Sequence, residues 1–315
     1  MCSQWKRVGY HEYSKRIMLR GEHIKNDKLF HRLRFTNDWL VSSYHLSMDY
    51  IKQYVDFLNH LKPEFFHVYP SSLYLFSQLL IESKLLLTFQ PKAILCGSEP
   101  VYEFQRELFE KTFRSRVYSW LGLTEGTIMA GECEFSKLYH VWPQYTYVEL
   151  IDDNNLLVNE KDRTGSIIGT SFNNLSTPLI RYKSGDTATY GGIQCNLCGR
   201  HNMILEQIGG REQNYLVLAN GKKFSLSPFQ LTINKINAFK KIRIFQLIQD
   251  SIGDLLIKLD TTHDFDSKDE AELKTKLLSA VKNQLTLTIE YTNDFIKTES
   301  GKNILFIQRI RKDVD

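Results

Sequence analysis

Apolar residues recur every three to four positions across residues 46–61, "LSMDYIKQYVDFLNHL". Tyr50, Ile51, Tyr54, Val55, Leu58 and Leu61 share one side of a helix there. The period returns in "SSLYLFSQLLIESK" (71–84), after Pro70 and with a serine placed to cap the first turn. "KAILCGSEP" reads as a short apolar strand ending in Gly97, Ser98, Glu99 and Pro100, and "VYEFQRELFEKTF" resumes the helical spacing. Tyr118, Trp120 and Leu121 are strand-like, as are "YTYVEL" (145–150) and "NLLVN" (155–159), joined by the turn formers Asp152, Asp153 and Asn154. Helices alternating with short apolar strands predict an α/β domain with a largely buried sheet.

The pattern changes after "IGGREQN" (208–214). "YLVLANGKKF" reads as a hairpin turning at Asn220–Gly221, and "IRIFQLIQDSIGDLLIKLD" as a strand pair around Gly253. Ser267 and Glu270 form a capping-box pattern ahead of a helix with Leu273, Leu277 and Val281 on one face. "LTLTIEY" alternates as a half-buried strand does. These elements predict a small α+β unit. The boundary is set at the paired glycines, giving domains of 1–209 and 210–315, because glycines permit a hinge.

With 42 % hydrophobic and 12 % aromatic residues in 315, the chain can bury a sizeable core, which argues against wholesale disorder. A net charge of +4 is mild and shows no concentrated basic stripe, which argues against a nucleic-acid surface. Runs such as "LLLTF" fall far short of the roughly 20 residues that span a bilayer, and the start has no secretory apolar stretch. Five cysteines in a chain this long do not make a disulfide framework, so a reducing, cytoplasmic setting is expected.

Cys195 and Cys198 form C-x-x-C, and Cys133 with His140 forms a second pair upstream. Two short pairs brought together by a fold commonly supply the four ligands of a structural Zn²⁺. His201 is the rival for the fourth position, and a redox pair or two plain thiols are the rival readings of C-x-x-C. Cys2 and Cys96 have no partner pattern; a terminal thiol and a buried small hydrophobe are expected.

Four further motifs follow in order: "GSEP" (97–100), "GLTEG" (122–126), "YKSGD" (182–186) with "GGR" (209–211), and "KTESGK" (297–302). With "HVYPSSLYLFSQLL", "TPLIRYKSGDTA" and "CNLCGR", they resemble the adenylate-forming enzymes. The branch they resemble most is that of phenylacetate–CoA ligases and CapK-type proteins of capsular polysaccharide biosynthesis. The resemblance implies the α/β large domain of that enzyme type with a small C-terminal α+β lid. It implies ATP with Mg²⁺ as cofactor and a small carboxylic acid as substrate, activated as an acyl-adenylate and passed to CoA or another acceptor.

By the same resemblance Thr124 would bond the α-phosphate, Glu125 would ligate Mg²⁺, and Gly97, Ser98 and Glu99 would line the adenine end. Asp186 would accept from the ribose hydroxyls, Arg211 would sit at the hinge near the nucleotide, and Lys302 would reach the reacting oxygens on lid closure. The chain departs from the family in three places. The Ser/Thr/Gly-rich phosphate loop is not seen, since the first 90 residues hold only Gly9 and Gly21; this implies a member without its N-terminal phosphate-loop segment. Leu121 stands where an aromatic is usual, and the acidic hinge positions read Glu212, Gln213 and Asn214. Two other classes therefore stand beside the enzyme: a non-catalytic remnant that keeps nucleotide affinity, and a subunit completed in trans by a partner chain. An exposed sheet edge would also favour a homodimer.

Overall fold

The computed structural model describes residues 2–211, 214–298 and 303–310. The chain begins α1 (Cys2–Lys6), β1 (Arg16–Leu19), β2 (Phe30–Arg32), β3 (Asp38–Val41), α2 (Ile51–Leu61), β4 (Phe65–Val68) and α3 (Pro70–Glu82). It continues β5 (Ala93–Cys96), α4 (Glu103–Phe113), β6 (Val117–Gly122), β7 (Met129–Glu132), β8 (Tyr139–Val141), β9 (Thr146–Ile151), β10 (Thr164–Ser171), β11 (Tyr182–Gln194) and β12 (His201–Arg211). Among the described residues these twelve strands form one sheet, in the order β2-β3-β1-β4-β5-β6-β7-β8-β12-β11-β10-β9.

The sheet has two characters. From β3 to β6 the pairing is parallel, and every residue of β4 ("FFHV") and β5 ("AILC") is buried. That is the signature of a sheet covered on both faces. One face carries α2, α3 and α4, whose Leu58, Phe76, Phe109 and Phe113 cluster with Phe66 and Ile94 of the sheet. The other carries the N-terminal segment through Trp5 and Tyr10, packed on Phe65, Ala93 and Leu95. From β6 onward the pairing is antiparallel, with a smaller core around Ile128, Leu150, Ile167 and Leu205.

The C-terminal unit comprises β13 (Tyr215–Val217), β14 (Lys223–Ser225), α5 (Leu226–Ile233), β15 (Ile242–Gln249), β16 (Asp254–Thr261), α6 (Ser267–Ala280), β17 (Thr286–Tyr291) and β18 (Phe306–Gln308). Its sheet runs β17-β16-β15-β18, and the β13–β14 hairpin turns through Asn220–Gly221, with Gly221 at φ +76°. This unit is seated on α3 and α4. Tyr74 Oη donates to the Phe239 carbonyl (3.1 Å), Glu103 N–H donates to Asn234 Oδ1 (2.9 Å) and Arg243 pairs with Glu82 (2.8 Å). Phe104 stacks on Phe239, and Tyr102 lies against Phe245.

Several expectations need correction. No serine side chain caps α3; its N-cap is Tyr69, and the Glu99 carboxylate accepts from Ser71 N–H and Oγ instead. The capping box of α6 is one residue earlier than expected: Asp266 accepts from Lys268 and Asp269 N–H, and Asp269 replies to Asp266 N–H. "NLLVN" makes only a bridge from Leu157 to Ile151, because Asp152 Oδ1 takes the Asn154 and Leu156 N–H groups into a turn. Gly209 and Gly210 sit inside β12, and a Cβ on Gly209 would collide with Thr187. Close strand packing therefore accounts for that glycine. The short β1, β2 and β3 and the helix α5 were not foreseen.

His67, on β4, is 2 % exposed, lies against Trp5 and Trp120, and has no hydrogen-bond partner among the described residues. Burial, then the nearby Arg20 and Arg16, push its pKa well below 6.5. The unfolded chain takes up a proton near 6.5 that the folded chain refuses, so stability is lost as pH falls below that value. We expect urea midpoints to decline below about pH 6.5 with a His67 contribution approaching about 1.4 kcal/mol per pH unit. His67→Phe should flatten that part of the slope.

Candidate functional site

The parallel strands end on one side of the sheet, and their loops carry most of the predicted residues. β5 ends at Cys96, and Ser98 follows in the left-handed region at φ +66°. A non-glycine residue rarely takes that conformation, and such strain concentrates where a loop must present groups to a ligand. Gly97 before it is buried beneath the Trp120 ring, which a Cβ would strike. Glu99 is tied through Ser71 to the first turn of α3, where a carboxylate also complements the helix dipole.

β6 runs to Gly122 and opens into the turn that holds Thr124 and Glu125, both exposed. Gly126 closes the turn at φ +71°, its N–H bonded to the Leu123 carbonyl (3.0 Å). Tyr182 Oη donates to Glu125 Oε1 (3.3 Å). The residue after the turn, Thr127, is fully buried; its carbonyl accepts from Thr146 Oγ1 (2.5 Å), and a Cβ on Gly169 would collide with it.

A cleft of about 650 Å³ opens between this edge and the C-terminal unit. It is lined by Ser98, Glu99, Leu121 and Asp186 on the large sheet and by Thr298 and Asn303 across from them. Asp186 pairs with Arg211 across β11 and β12. Thr124 and Glu125 are not part of that lining; they stand just beyond Leu121–Leu123, which are. Lys302 and the hinge residues Glu212 and Gln213 lie outside the described residues, as do the side chains of Arg211 and Cys2. Cys96 is a fully buried thiol, as expected, and burial raises its pKa.

The ligand atoms of Cys133, His140, Cys195 and Cys198 lie within 4.8 Å of one another. Three sulfurs and an imidazole at that spacing are a donor set for a tetrahedral ion. His140 Nδ1 is 2.8 Å from Asn202 Oδ1, so the donating Nδ1–H tautomer leaves the Nε2 lone pair toward Cys198 Sγ, 3.4 Å away. Phe135 N–H points at Cys133 Sγ, and Arg200 beside the sulfurs is held bidentately by Glu134. His201, the rival fourth ligand, is not in the group. The sequence pairs carried the four residues, whereas Asn202 and Glu134 lay in no motif, and Tyr182, within "YKSGD", was assigned no role.

Residues 216–309 match the family model described as the CapK C-terminal domain. Protein CapK of Staphylococcus aureus is 23 % identical over 319 residues, covering 96 % of this chain and 67 % of CapK. The chain is similar to the CapK-like branch of the adenylate-forming enzymes in both sequence and fold. Phenylacetate-coenzyme A ligase of Thermus thermophilus is 23 % identical over 184 residues, covering 58 % of this chain and 38 % of the ligase. The fold matches 2-hydroxyisobutyryl-CoA ligase in the postadenylation state in complex with 2-HIB-AMP, with TM-score 0.67, 16 % identity, and coverage of 96 % and 66 % of the two chains. Anthranilate CoA ligase AuaEII in complex with anthranoyl-AMP matches with TM-score 0.57, 14 % identity and coverage of 95 % and 61 %. The chain thus spans about two thirds of the length of CapK and of these two solved structures, and 38 % of the phenylacetate ligase. No helix among its described residues is long and apolar enough to cross a membrane.

Glu99 offers a direct check on the site's frame. Glu99→Ala removes both contacts to α3 and should lower stability by about 1–2 kcal/mol, read as a lower urea midpoint at unchanged m-value.

Proposed function

We propose that this chain binds ATP in the 650 Å³ cleft and activates a small carboxylic acid as its acyl-adenylate, for transfer to CoA or another acceptor. The observation that carries the reading is the convergence of residues from three distant motifs, Ser98 and Glu99, Gly122 and Leu123, and Asp186, on one cleft. The residues flanking Lys302 face them across it. Similarity to protein CapK and the neighbours' complexes with acyl-adenylates support it. A role in surface-polysaccharide assembly and a cytoplasmic location are part of the proposal. So is the division into a large domain to residue 209 and a lid from 210.

In this reading Asp186 accepts from the ribose hydroxyls, Ser98 and Glu99 border the base, and Leu121 supplies an apolar shelf where relatives place an aromatic. Thr124 donates to the α-phosphate from a turn held at its far end by Thr127. Glu125 would hold the Mg²⁺ that neutralises charge building on the phosphates, with Tyr182 fixing the carboxylate. Arg211 and Lys302 add cationic charge from the hinge and the lid. The expected result is carboxylate-dependent exchange of pyrophosphate into ATP, abolished by Lys302→Ala. ATP at a hundredfold excess over Kd should also stabilise the fold by about 2.7 kcal/mol. Failure of millimolar ATP to shift the melting temperature overturns the reading and leaves a scaffold without nucleotide chemistry.

Cys133, His140, Cys195 and Cys198 would hold a structural Zn²⁺, with Asn202 orienting the imidazole. The ion would join the segment after the Thr-Glu turn to the tight turn between β11 and β12. Elemental analysis should find about one zinc per chain, lost in Cys195→Ser. Stable protein purified without metal overturns this assignment.

A further inference from the structure

The twelve-stranded sheet ends at one edge in the β2–β3 hairpin, none of whose residues lines the cleft. Leu33 N–H closes the hairpin on the Asp38 carbonyl (2.9 Å), leaving Arg34, Phe35, Thr36 and Asn37 as its tip. Phe35 is fully exposed there and sits in the left-handed region at φ +68°. Glycine or asparagine takes that conformation readily, whereas a bulky aromatic is an outlier. The tip is nonetheless fixed in place. Asn37 Nδ2 donates to the Tyr13 carbonyl (2.8 Å), and Arg32 Nη2 donates to Asn37 Oδ1 (3.4 Å). Arg16 N–H donates to the Asn37 carbonyl (3.2 Å). These bonds bring Tyr13, 79 % exposed, beside the hairpin. The two turns share a depression of about 470 Å³ lined by Tyr13 and residues 32–37.

The charge of this surface is one-sided. Segments 11–15 and 28–37 hold Lys15, Lys28, Arg32 and Arg34 against one acid, Glu12, and all five are exposed. Asp38, the hairpin's own carboxylate, is buried and held bidentately by Arg16 (2.9 and 2.6 Å), so it does not offset them. A lone exposed ring is ordinary on any protein surface. A ring in a strained backbone position, beside a second exposed ring and a cluster of cations, is not. An acidic protein would match the charge but would need a cavity shaped to receive Phe35. A lipid surface takes in a protruding ring without one, and arginine stems let the guanidinium groups stay at phosphate level as the ring sinks.

We propose that this tip docks the protein on an anionic phospholipid surface. Phe35 enters the boundary between headgroups and acyl chains, Tyr13 lies beside it at headgroup level, and Arg32 and Arg34 engage lipid phosphates at the shared depression. The attachment is reversible, because one inserted ring and a few cations fall short of a stable anchor. It is independent of the nucleotide reading, since no residue of the tip lines the cleft.

The test is sedimentation of the full chain with vesicles of phosphatidylcholine alone or mixed with phosphatidylglycerol. The protein should pellet with the anionic vesicles, at least about tenfold more tightly than with the neutral ones, and be released by high salt. Arg34→Ser should weaken binding about fivefold, the share of one cation near a charged leaflet. Phe35→Asn should weaken it several-fold and melt no lower than the wild type, because asparagine takes the left-handed region more readily. If Arg34→Ser does not fold, the salt dependence and Phe35→Asn decide. Millimolar glycerol 3-phosphate should leave the protein on the vesicles; displacement by it would assign the depression to a free phosphate and overturn docking. Equal binding to neutral and anionic vesicles, or undiminished binding in folded Phe35→Asn, overturns the inference. So does failure on both vesicles, including the case in which polyglutamate is bound and an acidic protein is the partner. None of these outcomes touches the nucleotide reading.

Discussion

The seam of aromatic side chains between the C-terminal unit and helices α3 and α4 is what creates a cleft at all. Tyr74, Tyr102 and Phe104 meet Phe239 and Phe245, with ring centroids 4.9–6.1 Å apart along Phe104–Phe239–Phe245–Tyr102. Rings bury large apolar areas and hold preferred geometries, so a contact made of them sets an orientation as well as an affinity. Three polar pins, from Tyr74, Asn234 and Arg243, fix the register of the seam. Without this docking, Thr298 and Asn303 would have nothing to face, and the loops after β5 and β6 would open onto solvent.

Much of the fold was legible in the sequence because its strongest signals are periodic. The apolar stripe of α2, the buried run of β5 and the alternation of β17 all survive folding as written, whereas β4 was not read as a strand. The misses share a cause, which is long-range rather than local chemistry. Strands of three or four residues, such as β2 and β3, carry too few positions for a period, and only their neighbours in the sheet define them. Glu99 capping α3 through Ser71 spans 28 residues and cannot be read from either segment.

The candidate site divides in the same way. Short motifs carried Ser98, Glu99 and Asp186, and the cysteine pairs carried the metal-ligand set. Asn202, which orients His140 from 62 residues away, follows from no spacing rule, and neither does the buried Arg106–Glu132 pair.

The fixing of Thr127 gives the neighbouring turn two unlike ends. Its carbonyl is clasped by a threonine of β9, and β10 presses so near that only glycine fits at 169. From there back to Gly122 the backbone is a short span hung from an immovable post. Residues 124 and 125 can therefore adjust by small swings while their distance from the sheet stays set. The position of that turn is thus written partly in β10, a strand outside the cleft lining.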